Sequence, residues 1–267
     1  MSFIQVANRK VYYNAPFGLP SQGDRKIMLL VHGAGGSSRH WEPMLAQFDA
    51  TEFPVALDLP GHGASEGYVP DSIDAVAEFI NVFLNRLGIE HPICYVGQSM
   101  GGLIGLQFAL AYPDRVAQLV LMATSARIQL HPDFLQQAIT GQWNYETLRQ
   151  SFAAEIPKNV KDLVLSEFQY TLLQADASDF MGVSRVDLSS AVSALRLPTL
   201  ILTGDDDVII SPRKSKMLQW QIENSRLVTI PDAGHYLHVE QPAKVAAEIQ
   251  HFVKGDRLVS ASQSQES

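Results

Sequence analysis

The segment Gly97-Gln98-Ser99-Met100-Gly101 stands between two apolar runs, residues 92–96 before it and residues 102–110 after it. A short apolar run that ends in Gly-x-Ser-x-Gly and passes into a longer one reads as strand, sharp turn and helix, with the serine at the corner. That arrangement demands these residue types. The serine takes a strained backbone conformation that lifts its hydroxyl above the sheet. The residues two before and two after it then approach too closely to carry side chains, hence Gly97 and Gly101. The helix beginning at Met100 directs its unpaired N–H groups and positive dipole end at any anion that forms beside Ser99.

Around this corner the chain alternates strand and helix signals. Residues 3–14 read as an opening pair of strands, and Ser21-Gln22-Gly23-Asp24 as a turn. Residues 27–31 form a buried strand that feeds His32-Gly33-Ala34-Gly35-Gly36. A helix over 41–48 and a strand over 53–57 follow, and the strand leads into Asp58-Leu59-Pro60-Gly61-His62-Gly63-Ala64-Ser65. Asp71-Ser72 caps an amphipathic helix whose apolar positions run from Ile73 to Leu87, closed by Gly88. After the elbow, 116–122 is another buried strand. Strands resume at 200–203 and 227–230, and a helix covers 242–252. Such alternation implies an α/β fold with a mostly parallel sheet flanked by helices.

Between these halves the pattern changes. Segments 132–139, 145–154 and 160–173 have helical periodicity with no strand signal between them. Residues 1–126 and 187–254 therefore read as the core, 127–186 as a helical cap or lid, and the Ser/Gln-rich residues 255–267 as a disordered tail.

The bulk properties exclude several classes of function. The 267 residues suit one large domain with an insertion, and 46% hydrophobic against 18% charged residues is an ordinary globular balance. A net charge of −8 gives a nucleic-acid partner no support. No metal site is expected: there is no His-Glu-x-x-His, and one cysteine, Cys94, makes neither a thiolate cluster nor an internal disulfide. No signal peptide is read, and no apolar run approaches the roughly 18 residues of a membrane span. A soluble, cytoplasmic protein without a cofactor is the expectation. Its oligomeric state is not legible.

A serine hydroxyl becomes nucleophilic when a histidine accepts its proton and an acid orients that histidine. Downstream of Ser99, one strand runs into Gly204-Asp205-Asp206-Asp207 and another into Pro231-Asp232-Ala233-Gly234-His235. Both loops leave the carboxyl ends of strands, where ligand sites of open α/β sheets collect. His32, His62 and His238 compete with His235 for the role of base, and three adjacent aspartates compete for the acid.

These strings together resemble the α/β-hydrolase fold superfamily, in its esterase, C–C hydrolase and haloperoxidase-like group. The matching elements are residues 32–36, 58–65, 97–102, 204–207, Gly234-His235 and Glu240-Gln241-Pro242, spread over nearly the whole chain. The resemblance implies Ser99 as nucleophile, His235 as base and Asp207 as acid, three residues beyond Gly204. It also implies an oxyanion hole made by the backbone N–H groups of Ala34 and Met100. One departure is that Pro212 lies five residues past Asp207, where the family commonly has proline four beyond. Residues 58–65 read as loop scaffolding beside the site.

Serine at the elbow argues against dehalogenases and epoxide hydrolases, whose family members carry aspartate there. The expected activity is hydrolysis of a small ester through an acyl-enzyme. C–C bond hydrolysis, or a lyase step like that of the vitamin K pathway synthase, is the enzymatic alternative and would need an arginine near Ser99. A ligand-binding sensor with a residual triad is the alternative of another class. Phe134, Trp143, Tyr145, Phe152, Phe168, Tyr170, Phe180 and Met181 are candidates for a pocket wall, and Arg127, Arg149 and Arg185 for a carboxylate clamp.

Overall fold

In the computed structural model, which describes residues 2–20, 27–68, 70, 72–172 and 178–255, the chain opens with a hairpin of β1 (Ser2–Val6) and β2 (Arg9–Asn14). Its turn residues Ala7 and Asn8 both have positive φ, 47° and 64°. Such a turn matches the right-handed twist of the paired strands. The turn expected at 21–24, the cap residue Asp71 and the tail beyond 255 lie outside the described residues.

Six further strands complete one sheet: β3 (Met28–Val31), β4 (Pro54–Leu57), β5 (Ile93–Gln98), β6 (Val116–Met122), β7 (Thr199–Gly204) and β8 (Ser225–Ile230). The spatial order is β1-β2-β4-β3-β5-β6-β7-β8. β2 meets β4 antiparallel, and every later pairing is parallel. Alternate side chains feed two apolar layers. Leu29 and Val31 of β3 join the cluster on one face, and Met28 and Leu30 join the other. This is the period of two expected of a strand buried on both sides.

Helices cover both faces. On one lie α2 (Ile73–Arg86), α3 (Met100–Ala111) and α8 (Pro212–Gln221), and on the other α1 (Glu42–Leu45) and α10 (Pro242–Lys254). The Ser72 hydroxyl accepts the Ala75 N–H at 3.2 Å, the N-cap that the sequence suggests for α2. The helix expected over 41–48 is shorter and comes in two pieces. A 3-10 turn, Ser38–Trp41, precedes α1, whose second residue is Pro43; proline has no N–H to continue the earlier turn.

Among the described residues, the chain between β6 and β7 forms helices and no strand: α4 (Pro132–Thr140), α5 (Tyr145–Arg149), α6 (Lys158–Leu172) and α7 (Ser178–Ser184). Their apolar faces form a separate cluster that includes Phe152, Val164, Phe168 and Phe180. The expected helix over 145–154 ends at Arg149 because the backbone beyond it bonds elsewhere. Ser151 O accepts from His235 N at 2.7 Å, and Ala153 N donates to the Glu240 carboxylate at 2.9 Å.

Strand order reverses between β3 and β5, since β4 lies on one side of β3 and β5 and β6 on the other. At such a switch point the loops leaving the strands diverge and open a crevice. The two loops here are Gly33–Gly36 and the Ser99 corner.

Candidate active site

β5 passes into α3 through Ser99 alone, at φ 53° and ψ −115°. A residue with a side chain is strained there and persists only where its surroundings fix it. The Ser99 N–H donates to Met122 O at 2.9 Å, and the Thr124 hydroxyl donates to Ser99 O at 2.8 Å. A Cβ at Gly97 would strike the carbonyl of Gly101, and one at Gly101 would strike that of Val31. Both glycines are thus required by close approach.

His235 sits on the loop between β8 and the short helix α9 (Leu237–Glu240). Its Nε2 lies 3.0 Å from Ser99 Oγ, and its Nδ1 lies 3.0 and 3.2 Å from the two Asp207 oxygens. The Asp207 carboxylate also accepts the N–H groups of Ile209 and Ile210, each at 2.8 Å. An ionised carboxylate only accepts hydrogen bonds, so the imidazole proton is on Nδ1 and the Nε2 lone pair faces the serine. Of the three adjacent aspartates, only Asp207 meets the ring. Asp205 accepts from Ala233 N at 3.3 Å, and Asp206 is exposed. Pro212, one residue later than the family pattern, is the first residue of α8, a position that suits proline.

The other histidines are engaged elsewhere. His32 donates from Nδ1 to Gly33 O at 2.8 Å and accepts Leu59 N–H at Nε2, 3.2 Å. Burial drives its pKa down to about 3, so the ring is neutral. His62 faces Asp179 at 2.8 Å and is fully buried. His238 packs 4.4 Å from Trp41, and burial lowers its pKa well below the usual range.

Ser99 and His235 open into a cavity whose walls come from core loops and from the helices between β6 and β7. The space totals about 610 Å³, part of it open to solvent. Its far wall is apolar, with Ile128, Leu130, Phe134, Phe168, Phe180 and Val183. Three of the eight wall candidates are therefore at the wall, whereas Tyr170 is exposed and neither it nor Met181 borders the cavity. Trp143 packs behind them, edge-on to Phe134 and Phe168 at 5.3 and 5.0 Å, and Phe152 stacks on Tyr236 at 5.0 Å. Tyr145 packs at the margin of the same cluster. The arginine clamp is corrected. Arg127 pairs with Asp187, Arg149 with Glu146 and Asp162, and neither they nor Arg185 borders the cavity.

Ala34 and Met100 both line the cavity beside Ser99. Among the described residues, neither backbone N–H has a hydrogen-bond acceptor. Two unpaired amides at the wall of the cavity that holds the half-buried Ser99 suit an anion that forms transiently.

Residues 58–65 carry no group to the cavity. Asp58 accepts the N–H groups of Ser38 and Ala64 at 2.6 and 2.8 Å, and the Ser65 hydroxyl bonds to Asp58 O. Three buried groups bear on the site without a role assigned from the sequence, although Gln98 and Glu240 fall inside the matching strings. Glu240 accepts N–H groups of Ala153, Gly234 and Tyr236, at 2.9, 2.9 and 3.0 Å, and so braces the His235 loop. Gln98 donates to His235 O at 3.1 Å. His40 borders the cavity, and burial lowers its pKa to about 4, which keeps it uncharged. Among the described residues, no cluster of His, Cys, Asp and Glu has the geometry of a metal site, and no helix is long and apolar enough to cross a membrane.

A mostly parallel eight-stranded sheet flanked by helices, with a strained serine after its fifth strand, defines an α/β-hydrolase architecture. The model of the alpha/beta hydrolase family matches residues 28–248, and the chain belongs to that family. It is 26% identical over 254 residues to a pimeloyl-[acyl-carrier protein] methyl ester esterase of Neisseria meningitidis serogroup C, covering 86% of this chain and 94% of the relative. A thermophilic esterase from Thermogutta terrifontis superposes with a TM-score of 0.83 at 25% identity, over 95% of this chain and 98% of that one. The enol-lactonase of Burkholderia xenovorans LB400, at 21% identity and TM-score 0.82, shares the fold over 95% of this chain and 100% of its own.

Proposed function

We propose that this protein is a serine hydrolase acting on small, neutral carboxylic esters through an acyl-enzyme. The observation that carries the reading is the chain of contacts Ser99 Oγ, His235 Nε2, His235 Nδ1, Asp207, with 3.0 Å at each step.

In the first half-reaction, Ser99 Oγ attacks the ester carbonyl carbon while His235 Nε2 takes the hydroxyl proton. The carbonyl oxygen becomes an oxyanion and receives the N–H groups of Ala34 and Met100. Each such donor is worth about 3 kcal/mol of barrier. When the C–O bond breaks, the imidazolium returns its proton to the leaving alkoxide, which departs as the alcohol. In the second half, His235 deprotonates water, hydroxide attacks the acyl carbon, and Ser99 leaves with the proton. Asp207 holds the Nδ1–H tautomer throughout and stabilises the imidazolium.

Residues 127–186 act as the cap, and they supply most of the apolar wall. No lysine, arginine, aspartate or glutamate borders the cavity among the described residues, which favours uncharged acyl groups over carboxylates. The esterases among the relatives support the same class of reaction. The C–C hydrolase and lyase readings need a cation beside Ser99, and no observation favours them.

The test is turnover of p-nitrophenyl acetate, butyrate and hexanoate by the wild type and by Ser99→Ala, together with fluorophosphonate labelling. Hydrolysis and labelling that both vanish in the variant support the reading. Labelling without turnover points to a sensor, and wild-type turnover in Ser99→Ala refutes the serine mechanism.

A further inference from the structure

Asp179 is the first acidic residue of α7 and is buried, far from the sequence neighbourhood of any site residue. Its Oδ2 accepts two hydrogen bonds, from Gly35 N at 2.8 Å and from His62 Nε2 at 2.8 Å. One helix of the cap therefore reaches through to two loops of the core, and one of these is the loop that carries Ala34.

The bonds around His62 define its charge. Nδ1 faces the carbonyl of Pro60 at 3.1 Å, and a carbonyl only accepts, so Nδ1 carries a proton. Nε2 faces a carboxylate oxygen that already takes the Gly35 N–H. With a donor needed at both nitrogens, the ring is an imidazolium. Burial opposes that charge, and the Asp179 carboxylate overrides it, with His62 held above the ordinary histidine value and Asp179 below the ordinary carboxylate value. The other titratable groups facing His62 are Asp58, which supports its charge, and His32, whose ring centroid is 4.8 Å away and whose own bonds make it neutral. The result is a buried ion pair.

The Gly35 amide follows the Ala34 carbonyl, one residue along from the Ala34 amide. The loop from Gly33 to Gly36 has three glycines and a single small side chain, so it has little side-chain packing of its own to fix its peptide planes. Gly35 sits at φ 67°, and Gly36 N bonds to Gly33 O at 3.1 Å. The Gly35 N–H to Asp179 bond is the charge-assisted contact that fixes how the next peptide plane along lies. Charge-assisted bonds of this kind are about twice as strong as neutral ones.

We propose that Asp179 is a positioning residue for catalysis: through Gly35, and with its charge held in place by His62, it orients the Ala34 N–H toward the oxyanion. This rests on the serine-hydrolase reading above for its chemistry, though not for its structural content. It also makes closure of the cap and completion of the oxyanion hole one event, because the residue that docks α7 is the residue that holds the loop.

A second cap-to-core contact provides a control. Glu167 of α6 accepts the Ser37 hydroxyl at 2.8 Å and pairs with Arg39, without touching residues 33–36. Removing Glu167 loosens the cap and leaves the Gly35 bond intact.

The experiment compares wild type, Asp179→Ala, Asp179→Asn and Glu167→Ala in two independent readouts. The first is hydrogen exchange of the Gly35 amide by NMR, which needs no catalysis. The expected result is faster exchange by about tenfold or more in Asp179→Ala and no change in Glu167→Ala. The second is steady-state hydrolysis of p-nitrophenyl butyrate. Here Asp179→Ala loses about 30-fold in kcat with KM within a factor of about three, and Asp179→Asn, which keeps a neutral acceptor, loses about fivefold. Glu167→Ala shifts KM and leaves kcat within about twofold. Unchanged Gly35 exchange in both Asp179 variants overturns the proposal, as does a kcat loss no larger than that of Glu167→Ala. If Asp179→Ala does not fold, Asp179→Asn decides alone: a wild-type kcat and Gly35 exchange overturn it. If Ser99→Ala keeps full turnover, the hydrolase mechanism fails while the exchange comparison still decides whether Asp179 holds the loop.

Discussion

The carbonyl oxygen of Ser151 accepts the backbone N–H of His235 at 2.7 Å. The segment between β6 and β7 thus holds the main chain of the residue whose imidazole faces Ser99. Glu240 adds three further main-chain bonds around the same junction, two to Gly234 and Tyr236 and one to Ala153.

Removing that junction is expected to weaken both the fold and turnover. Glu240→Ala leaves two buried N–H groups, of Ala153 and Gly234, and the half-buried one of Tyr236 without an acceptor, a buried one costing about 1–3 kcal/mol and the total less than the sum. A loss of about 3 kcal/mol in urea denaturation, with a kcat reduced at least tenfold, is the outcome expected. An unchanged midpoint means that water or a neighbouring group replaces the carboxylate.

Asp207→Asn keeps the shape of the acid and reverses its hydrogen-bonding character. The amide can present an N–H to Nδ1, which pushes the imidazole proton to Nε2 and removes the acceptor that Ser99 needs. A loss of about 10⁴ in kcat is expected, by the tautomer effect known for serine triads. Stability should change little, because the Asn oxygen can still accept from Ile209 and Ile210. Retained activity would move the acid role to another residue.

Ser99 carries strain that glycine does not feel. At φ 53° and ψ −115° a Cβ costs about 1–3 kcal/mol. Ser99→Gly is therefore expected to have a higher Tm than Ser99→Ala, with both inactive in the ester assay. A lower Tm for the glycine variant contradicts the strain argument.

The Asp179–His62 pair makes a signed prediction about pH. His62 has its folded pKa raised, so its contribution is complete below its ordinary value of 6.5 and is lost as pH rises through the folded value. Asp179 has its folded pKa lowered, so its contribution is complete above the ordinary 3.8 and is lost as pH falls through the folded value. The stability gap between wild type and Asp179→Asn is expected to be widest between these two ordinary values. It should narrow toward pH 9, as measured by chemical denaturation across pH. A gap that widens with alkalinity excludes an imidazolium at His62.

Much of this was legible from local constraints. The Ser99 corner shows in the sequence because close approach of main chain to main chain leaves only glycine at 97 and 101. The strands show because both faces of the sheet are buried, which gives continuous apolar runs. Choosing Asp207 over its two neighbours is a matter of loop geometry, and here the resemblance supplied what spacing alone did not. The segment between β6 and β7 was harder to read. Its residues 145–154 have helical periodicity, yet the carbonyl of Ser151 and the N–H of Ala153 bond to residues more than 80 positions away, and the helix stops. Asp179 and Glu167 carry no signal of their own in the sequence, and Glu240 shows only as part of the Glu240-Gln241-Pro242 string, with no role attached. The partners of Asp179 and Glu167, Gly35 and Ser37, lie 144 and 130 positions away and are brought to them only by the tertiary fold, so nothing local marks those two acids as buried.

The attachment of Ser151 to the His235 backbone limits how freely this enzyme's specificity can be exchanged. Grafting another relative's segment between β6 and β7 replaces the pocket wall and the support of the His235 main chain in one stroke. A chimera that omits an equivalent carbonyl at that point inherits a new selectivity together with a misplaced imidazole. Evolution of substrate range in this chain is therefore expected to proceed by single side-chain changes on the wall, such as Ile128 or Leu130, and not by wholesale replacement of the roof.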